Sequence, residues 1–235
     1  MKNIENHSVC TDLCPRKVPI FEALSHEEIV KIATMAKHKR YQKGQVLIRE
    51  GEISSTLYIV SKGQIKLSKM LAQGKEQILR ILTTGDFFGE FHLFNSDEVM
   101  NFSAHAMKES DICIITKQDM DCIIEANPEI TVKLLQAITK RLAHTEKLVE
   151  QLATKDPEIR IAQMIIEFCE KYGETDKEGI HIHLPLTREE MANYVGVTRE
   201  TMSRKLSKFE DLGLISFIGN KELVVKNESA FQEMK

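Results

Sequence analysis

The sequence contains no run of about eighteen consecutive apolar residues, the length a membrane-spanning helix needs. Its opening residues, MKNIENHSVCTDLC, lack the basic-then-apolar order of a secretion signal. The expectation is a cytoplasmic protein with no membrane contact. Cysteine is sparse and odd in number, five in 235 residues, which excludes a disulfide-rich secreted scaffold and leaves core packing, redox chemistry or metal ligation. There is no low-complexity tract and no solenoid period. Nor is there a large excess of either charge: the formal net charge is -3, so a polyanion could be met only by a local basic patch. No nucleophile motif, phosphate loop or paired-carboxylate signature is present, and no enzymatic activity is expected. The pair Glu189-Glu190 suits the positive end of a helix dipole.

What is present is a core-forming composition, 42% hydrophobic, in a chain long enough for one large or two small domains. Ser25, with Glu28 three residues on, has the spacing of a capping box before an amphipathic helix to Lys37. From Tyr41 to Thr116 short apolar runs alternate with glycines at 44, 51, 63, 74, 85 and 89. That texture predicts an antiparallel sandwich or jelly roll. After Asn127-Pro128 the period turns helical. Leu135, Ile138, Leu142, Thr145, Val149 and Leu152 alternate three- and four-residue steps, the seam of a two-stranded parallel coiled coil with one polar member. The alternative is an amphipathic helix lying on its own domain. Asp156-Pro157 breaks the helix and marks a hinge. Helix resumes from Glu158 to Tyr172, and Ile180 to Leu184 alternates like a strand.

Residues 187–215 read TREEMANYVGVTRETMSRKLSKFEDLGLI. Thr187 caps a first helix with Glu190 as its capping-box partner. Gly196 sits where a tight turn needs positive φ. Thr198 caps a second helix whose inward face is Met202, Leu206 and Phe209, and Gly213 ends it. Residues 217–225 form a hairpin with a polar turn, the wing of a winged helix-turn-helix. The second helix faces outward with Arg199, Glu200, Ser203 and Arg204. Arginine can grip guanine O6 and N7 through two bonds, and glutamate can accept from the cytosine amino group. Thr187, Arg188, Thr198 and Thr201 are candidates for phosphate contacts, which set register. Residues 156–235 are acidic overall, with 11 Lys/Arg against 15 Asp/Glu, yet 198–208 hold Arg199, Arg204, Lys205 and Lys208 against only Glu200. A protein-binding winged-helix module is the competing reading.

The whole chain resembles the CRP/FNR family of bacterial regulators. Val197-Thr198-Arg199-Glu200-Thr201-Met202-Ser203-Arg204 is similar to that family's recognition helix. Lys43-Gly44-Gln45, Arg49-Glu50-Gly51, Leu57-Tyr58-Ile59-Val60, Lys62-Gly63 and Gly85-Asp86-Phe87-Phe88-Gly89-Glu90 match its sensor half. The resemblance implies an α+β protein: an N-terminal arm (1–20), a cyclic-nucleotide-binding-like β-roll (21–124), a dimerisation helix (125–155) and a winged helix-turn-helix (156–235). It implies a homodimeric transcription regulator, an activator, with palindromic double-stranded DNA and RNA polymerase as partners. Arg199, Glu200 and Arg204 resemble residues that read TGTGA-like half-sites. Ser203 resembles the type that favours TTGAT-like ones.

In relatives that bind cyclic AMP, an Arg-Ser or Arg-Thr pair after the Phe-Gly-Glu run holds the cyclic phosphate. Met100 and Asn101 stand there, and methionine cannot neutralise a phosphate. Glu90 matches the residue that holds the ribose. Cys10 and Cys14 lie where FNR-like oxygen sensors carry a cysteine cluster, and Cys113 resembles their internal ligand. A cubane iron–sulfur cluster takes four thiolates, one more than these three. The pattern is closer to the FNR-like proteins of lactic acid bacteria and other Firmicutes, thought to use a thiol-disulfide switch. Structural cysteines in a constitutive or small-molecule-responsive regulator are the alternative. Cys122 and Cys169 are assigned to the core. His181 and His183 share a strand face, but no cysteine or acid is expected to complete a metal site, and no metal is assigned.

Overall fold

The computed structural model describes residues 14–22, 24–95, 97–153, 156–219 and 221–234, without the side chains of Cys14, Lys17, His144 and 147–153. The chain divides into two compact units, one of residues 1–71 and 78–143, the other of 144–235 with the short segment 72–77. No helix of the described residues is long and apolar enough to cross a membrane.

The first unit opens with two 3₁₀ turns (Cys14–Lys17 and Pro19–Phe21) and helix α1 (His26–Met35). The capping box forms: Ser25 Oγ accepts from the Glu28 N–H, and Glu28 Oε2 accepts from the Ser25 N–H at 2.8 Å. Eight strands follow, with α2 (Glu90–Phe94) between the sixth and seventh: β1 (Lys37–Tyr41), β2 (Val46–Ile48), β3 (Thr56–Lys62), β4 (Gln64–Met70), β5 (Glu76–Thr83), β6 (Phe87–Phe88), β7 (Ser103–Ala106) and β8 (Ser110–Thr116). They make two four-stranded sheets, ordered β1-β8-β3-β6 and β2-β7-β4-β5. Strand alternation divides their side chains between two cores. Ile112 joins Tyr58, Val60, Ile65, Phe88 and Met100 inside the roll. Its neighbour Cys113 faces the other way, into a cluster with Val18, Ile20, Phe21 and Ile32. Gly89 has φ +92°, and a Cβ there would lie 2.3 Å from the Thr56 carbonyl oxygen, so only glycine fits.

Helices α3 (Lys117–Ala126) and α4 (Glu129–Ala153) complete this part of the chain. Along α4, Ile130 and Leu134 are buried in the cluster that holds Cys113, with Ala137 and Ile138 packed against it. The opposite face leaves Val132, Leu135 and Leu142 more than half exposed. Ile138, expected on the outer seam, therefore packs on its own unit, and Val132 is a further apolar residue on the outside. Thr145 is exposed, and the side chains of Val149 and Leu152 lie outside the described residues.

The second unit begins with α5 (Pro157–Tyr172), followed by β9 (Gly173–Thr175), β10 (Ile180–His183), α6 (Arg188–Val195), α7 (Arg199–Asp211), β11 (Ile215–Ile218), β12 (Glu222–Val225) and α8 (Glu228–Gln232). Asp156 caps α5 by accepting from the Glu158 N–H, and Pro157 takes the first helical position, where its missing donor costs nothing. The strands form one sheet, β11-β12-β10-β9. Phe209 of α7 meets Phe231 of α8 edge to face, with centroids 5.1 Å apart.

Candidate nucleic-acid interface

Two capped helices joined by a left-handed glycine build the interface. Thr187 Oγ1 accepts from the Glu190 N–H, and Glu190 Oε2 accepts from the Thr187 N–H at 3.0 Å, so α6 starts with a complete capping box. Gly196 ends it at φ +75°, ψ +37°, a conformation that penalises any residue with a Cβ. Thr198 Oγ1 then accepts from the Thr201 N–H and starts α7. Met202, Leu206 and Phe209 are buried beneath α7. Arg199 and Ser203, and Glu200 and Arg204, stand four residues apart on the opposite face, and all four are exposed. Among the described residues neither arginine is held in an ion pair, so both guanidinium groups are available to a ligand.

The rest of the basic patch differs from the expectation. Glu158, at the start of α5, binds Lys205 Nζ at 2.5 Å and Lys208 Nζ at 2.7 Å. Hydrogen bonds from these two ammonium groups hold its carboxyl below the usual carboxylate range. Lys205 and Lys208 are thus committed within the protein, which leaves the positive charge of this helix concentrated on Arg199 and Arg204. Arg188 also has an internal partner. Its guanidinium lies over the Phe217 ring of the wing, 3.8 Å from the centroid, and burial lowers its pKa. The hydroxyls of Thr187 and Thr198 are engaged in capping.

In the first unit Met100 is fully buried in the roll's apolar core, while Asn101 is exposed. Glu90, at the N-terminus of α2, binds Arg141 of α4. Arg141 also donates to the Phe87 carbonyl at 3.2 Å and lies 4.9 Å from the Phe87 ring centroid. Burial, helped by the nearby charge of Arg80 and opposed by Asp86, brings the Arg141 pKa down to about 10.

Residues 38–127 match the cyclic nucleotide-binding domain, and residues 159–234 match the Crp-like helix-turn-helix domain. The chain is 35% identical to the cAMP-activated global transcriptional regulator CRP of Pasteurella multocida, over 79% of this chain and 88% of that one. The chain belongs to the CRP/FNR family of DNA-binding transcription regulators. Another relative is the CRP-like cAMP-activated global transcriptional regulator of Mycobacterium tuberculosis, 26% identical over 89% of this chain and 93% of the other. The fold is shared with a CooA mutant from Carboxydothermus hydrogenoformans (TM-score 0.77, 21% identity, 91% of this chain and 93% of that one). It is also shared with FixK2 from Bradyrhizobium japonicum (TM-score 0.74, 24% identity, 85% and 97%).

In this CRP/FNR regulator Cys113 has no solvent exposure and is disulfide-bonded. Cys122 and Cys169 are free thiols. Cys10 and the Cys14 side chain lie outside the described residues. Cys169 is buried as expected, and burial, with Glu228 and Glu170 nearby, pushes its thiol up to about 12. Cys122 is not a core residue: it is exposed on α3, because the buried face of that helix is taken by Met120 and Ile123. Acids do approach His181, contrary to expectation. Glu222 lies 2.7 Å from Nδ1 and Asp176 3.2 Å from Nε2. His183 is exposed, and among the described residues no group of three or more such side chains is arranged to hold a metal.

The ion-pair roles of Glu158 and Arg141 escaped sequence reasoning. Glu158 and Lys205 are 47 residues apart, and Glu90 and Arg141 are 51 apart. No local periodicity joins such pairs.

Proposed function

We propose that this regulator acts as a homodimer on palindromic TGTGA-like DNA, without cyclic AMP, and that oxidation at Cys113 tunes its affinity. The exposed convergence of Arg199, Glu200, Ser203 and Arg204 on α7 carries the DNA reading. Arg199 takes a guanine through O6 and N7, Glu200 accepts from a cytosine amino group, and Ser203 and Arg204 complete the row. Thr187, Arg188, Thr198 and Thr201 flank that row, with phosphate contacts as their role. The exposed Val132, Leu135 and Leu142 supply the dimer seam. Two-fold half-sites then stand about 34 Å apart, the spacing a dimeric helix-turn-helix requires. RNA polymerase is the further partner at promoters.

The relatives named above are cAMP-activated. Here a buried methionine occupies the position expected of the phosphate-binding arginine, and Glu90 is engaged by Arg141. The Cys113 disulfide supports a thiol switch of the kind suggested for FNR-like proteins of lactic acid bacteria. The donor set available for an iron–sulfur cluster, Cys10, Cys14 and Cys113, is one thiolate short of a cubane.

Binding-site selection with the full chain tests this reading. Wild type should enrich a two-fold TGTGA-like site, and Arg199→Ala should lose about 1–3 kcal/mol of discrimination at one guanine. Undiminished discrimination at every base in Arg199→Ala would refute the assignment, as would a steep rise in site affinity on adding cyclic AMP for the effector reading.

A further inference from the structure

We infer that Lys75, with Gln77, is a positioning residue for DNA recognition: it fixes the turn of the helix-turn-helix and so the direction in which α7 leaves it. The inference rests on the DNA reading above. The short segment 72–77 belongs to the second unit. Lys75 Nζ donates to the Val197 carbonyl oxygen at 2.6 Å, and Gln77 Nε2 donates to the Tyr194 carbonyl oxygen at 3.2 Å. Arg160 of α5 donates through Nη1 to the Val195 carbonyl oxygen, also at 3.2 Å. Three carbonyls of the turn thus each take a side-chain donor from a distant part of the sequence.

The need for these donors follows from helix physics. The last carbonyls of a helix have no partner within it, and they form the negative end of its dipole. Helix α6 has no basic residue in its last turn. The Ala192 carbonyl is met by the N–H groups of Gly196 and Val197. The Tyr194 and Val195 carbonyls are met by Gln77 and Arg160, and the Lys75 ammonium adds a second cation beside that of Arg160. Both neighbours close in on the left-handed glycine: a Cβ at Gly196 would lie 3.6 Å from Arg160 Nη1 and 3.6 Å from Gln77 Oε1.

Lys75 holds the point where the turn becomes the second helix. The Val197 carbonyl and the Thr198 N–H belong to one planar peptide group. Thr198 caps α7, and Arg199 and Glu200 follow at once. The buried Val197 side chain anchors that plane on one side, and the half-buried Lys75 holds its oxygen on the other. A bond from an ammonium group is about twice as strong as one between neutral groups. Base-reading side chains need their helix held within about 0.5 Å of the working geometry. Sequence-independent binding rests on charge and tolerates more freedom. Loss of the Lys75 contact therefore falls on discrimination rather than on DNA affinity in general.

The test compares full-length wild type with Lys75→Met, which keeps the apolar stem and removes the donor. Affinity is measured across a salt series for the duplex enriched by binding-site selection and for a scrambled duplex of equal length. Lys75→Met should bind the selected duplex about tenfold more weakly, the scale of one charged hydrogen bond, and the scrambled duplex as wild type does. Its salt slope should be unchanged, and hydrogen exchange at the amides of residues 196–201 should quicken. Lys75→Arg should recover most of the loss, since it restores a cationic donor. Gln77→Ala, which leaves Lys75 in place, should act in the same direction by about threefold, the scale of one neutral hydrogen bond, and it carries the comparison should Lys75→Met not fold. Unchanged affinity for the selected duplex would overturn the inference. So would a salt slope smaller by about 0.9, which would mean that Lys75 itself meets a phosphate. Equal losses on both duplexes, in step with a lowered denaturation midpoint, would reduce Lys75 to a support of the fold and overturn its positioning role. A wild type with no preference between the duplexes would overturn the DNA reading beneath it.

Discussion

Glu158 binds the ammonium groups of Lys205 and Lys208 together, so one carboxylate at the start of α5 fastens helix α7. Two of the four basic residues of that helix are thereby spent internally. Glu158→Gln should release both lysines toward phosphates. The slope of log affinity against log salt should steepen by about 0.9 for each lysine recruited, and discrimination between sites should fall. Adding Lys205→Ala and Lys208→Ala to that variant should restore the wild-type slope. A slope unchanged by Glu158→Gln would show that these lysines do not reach DNA.

The same contact gives a pH dependence with a defined sign. The Glu158 carboxyl is held below its ordinary value of 4.5. Its stabilising contribution is therefore present above the unfolded value and lost as pH falls through the folded one. Denaturant titrations should show wild type losing stability relative to Glu158→Gln as pH drops below about 4.5.

His181 carries the opposite sign. A hydrogen bond to Glu222 raises its pKa above 6.5, with Asp176 adding to the shift. The protonated ring links β10, the following wing strand β12 and the loop before β10. That stabilisation is full below the unfolded value and fades as pH rises through the folded one. A proton NMR titration of the ring should give a midpoint above 6.5 that falls in Glu222→Gln. An unshifted midpoint in that variant would remove Glu222 as the cause.

Arg188 over Phe217 ties the first helix of the motif to the wing. Phe217→Ala or Arg188→Ala should cost about 0.5–2 kcal/mol of stability. Arg188→Lys should recover little of it, since an ammonium lacks the planar stacking surface. Chemical denaturation of the three variants decides the point, and full recovery with lysine would mean that charge alone matters there.

On α4 the exposed apolar residues are Val132, Leu135 and Leu142. Leu135→Lys with Leu142→Lys should yield monomers in sedimentation and abolish operator binding, because charges would be forced into a dry seam. A double variant that sediments as a dimer would relocate the interface.

The winged helix was legible because its cues are local. A capping threonine, a glutamate three residues on, a glycine at the turn and apolar residues three and four apart all fall within about thirty residues. The strand texture of the roll was legible from its period of two. The exposure of Cys122 was not, since a lone cysteine on a helix can face either way and Met120 and Ile123 took the core. Ile138 and Val132 show the same limit. Both fit a three- and four-residue spacing, and only the position of the roll decides which of them it covers. The ion pairs of Glu158 and Glu90 depend on which elements fold together, which no neighbouring residues encode.

Helix α4 has two faces with different obligations. Ile130 and Leu134 share a core with Val18, Ile20, Phe21 and Cys113, while Val132, Leu135 and Leu142 point away from it. A helix is stiff in torsion, so a repacking that rolls one side by a few degrees rolls the other by the same amount. The packing around Cys113 and the direction in which the leucines face are therefore settings of one rigid shaft, and neither can be altered alone.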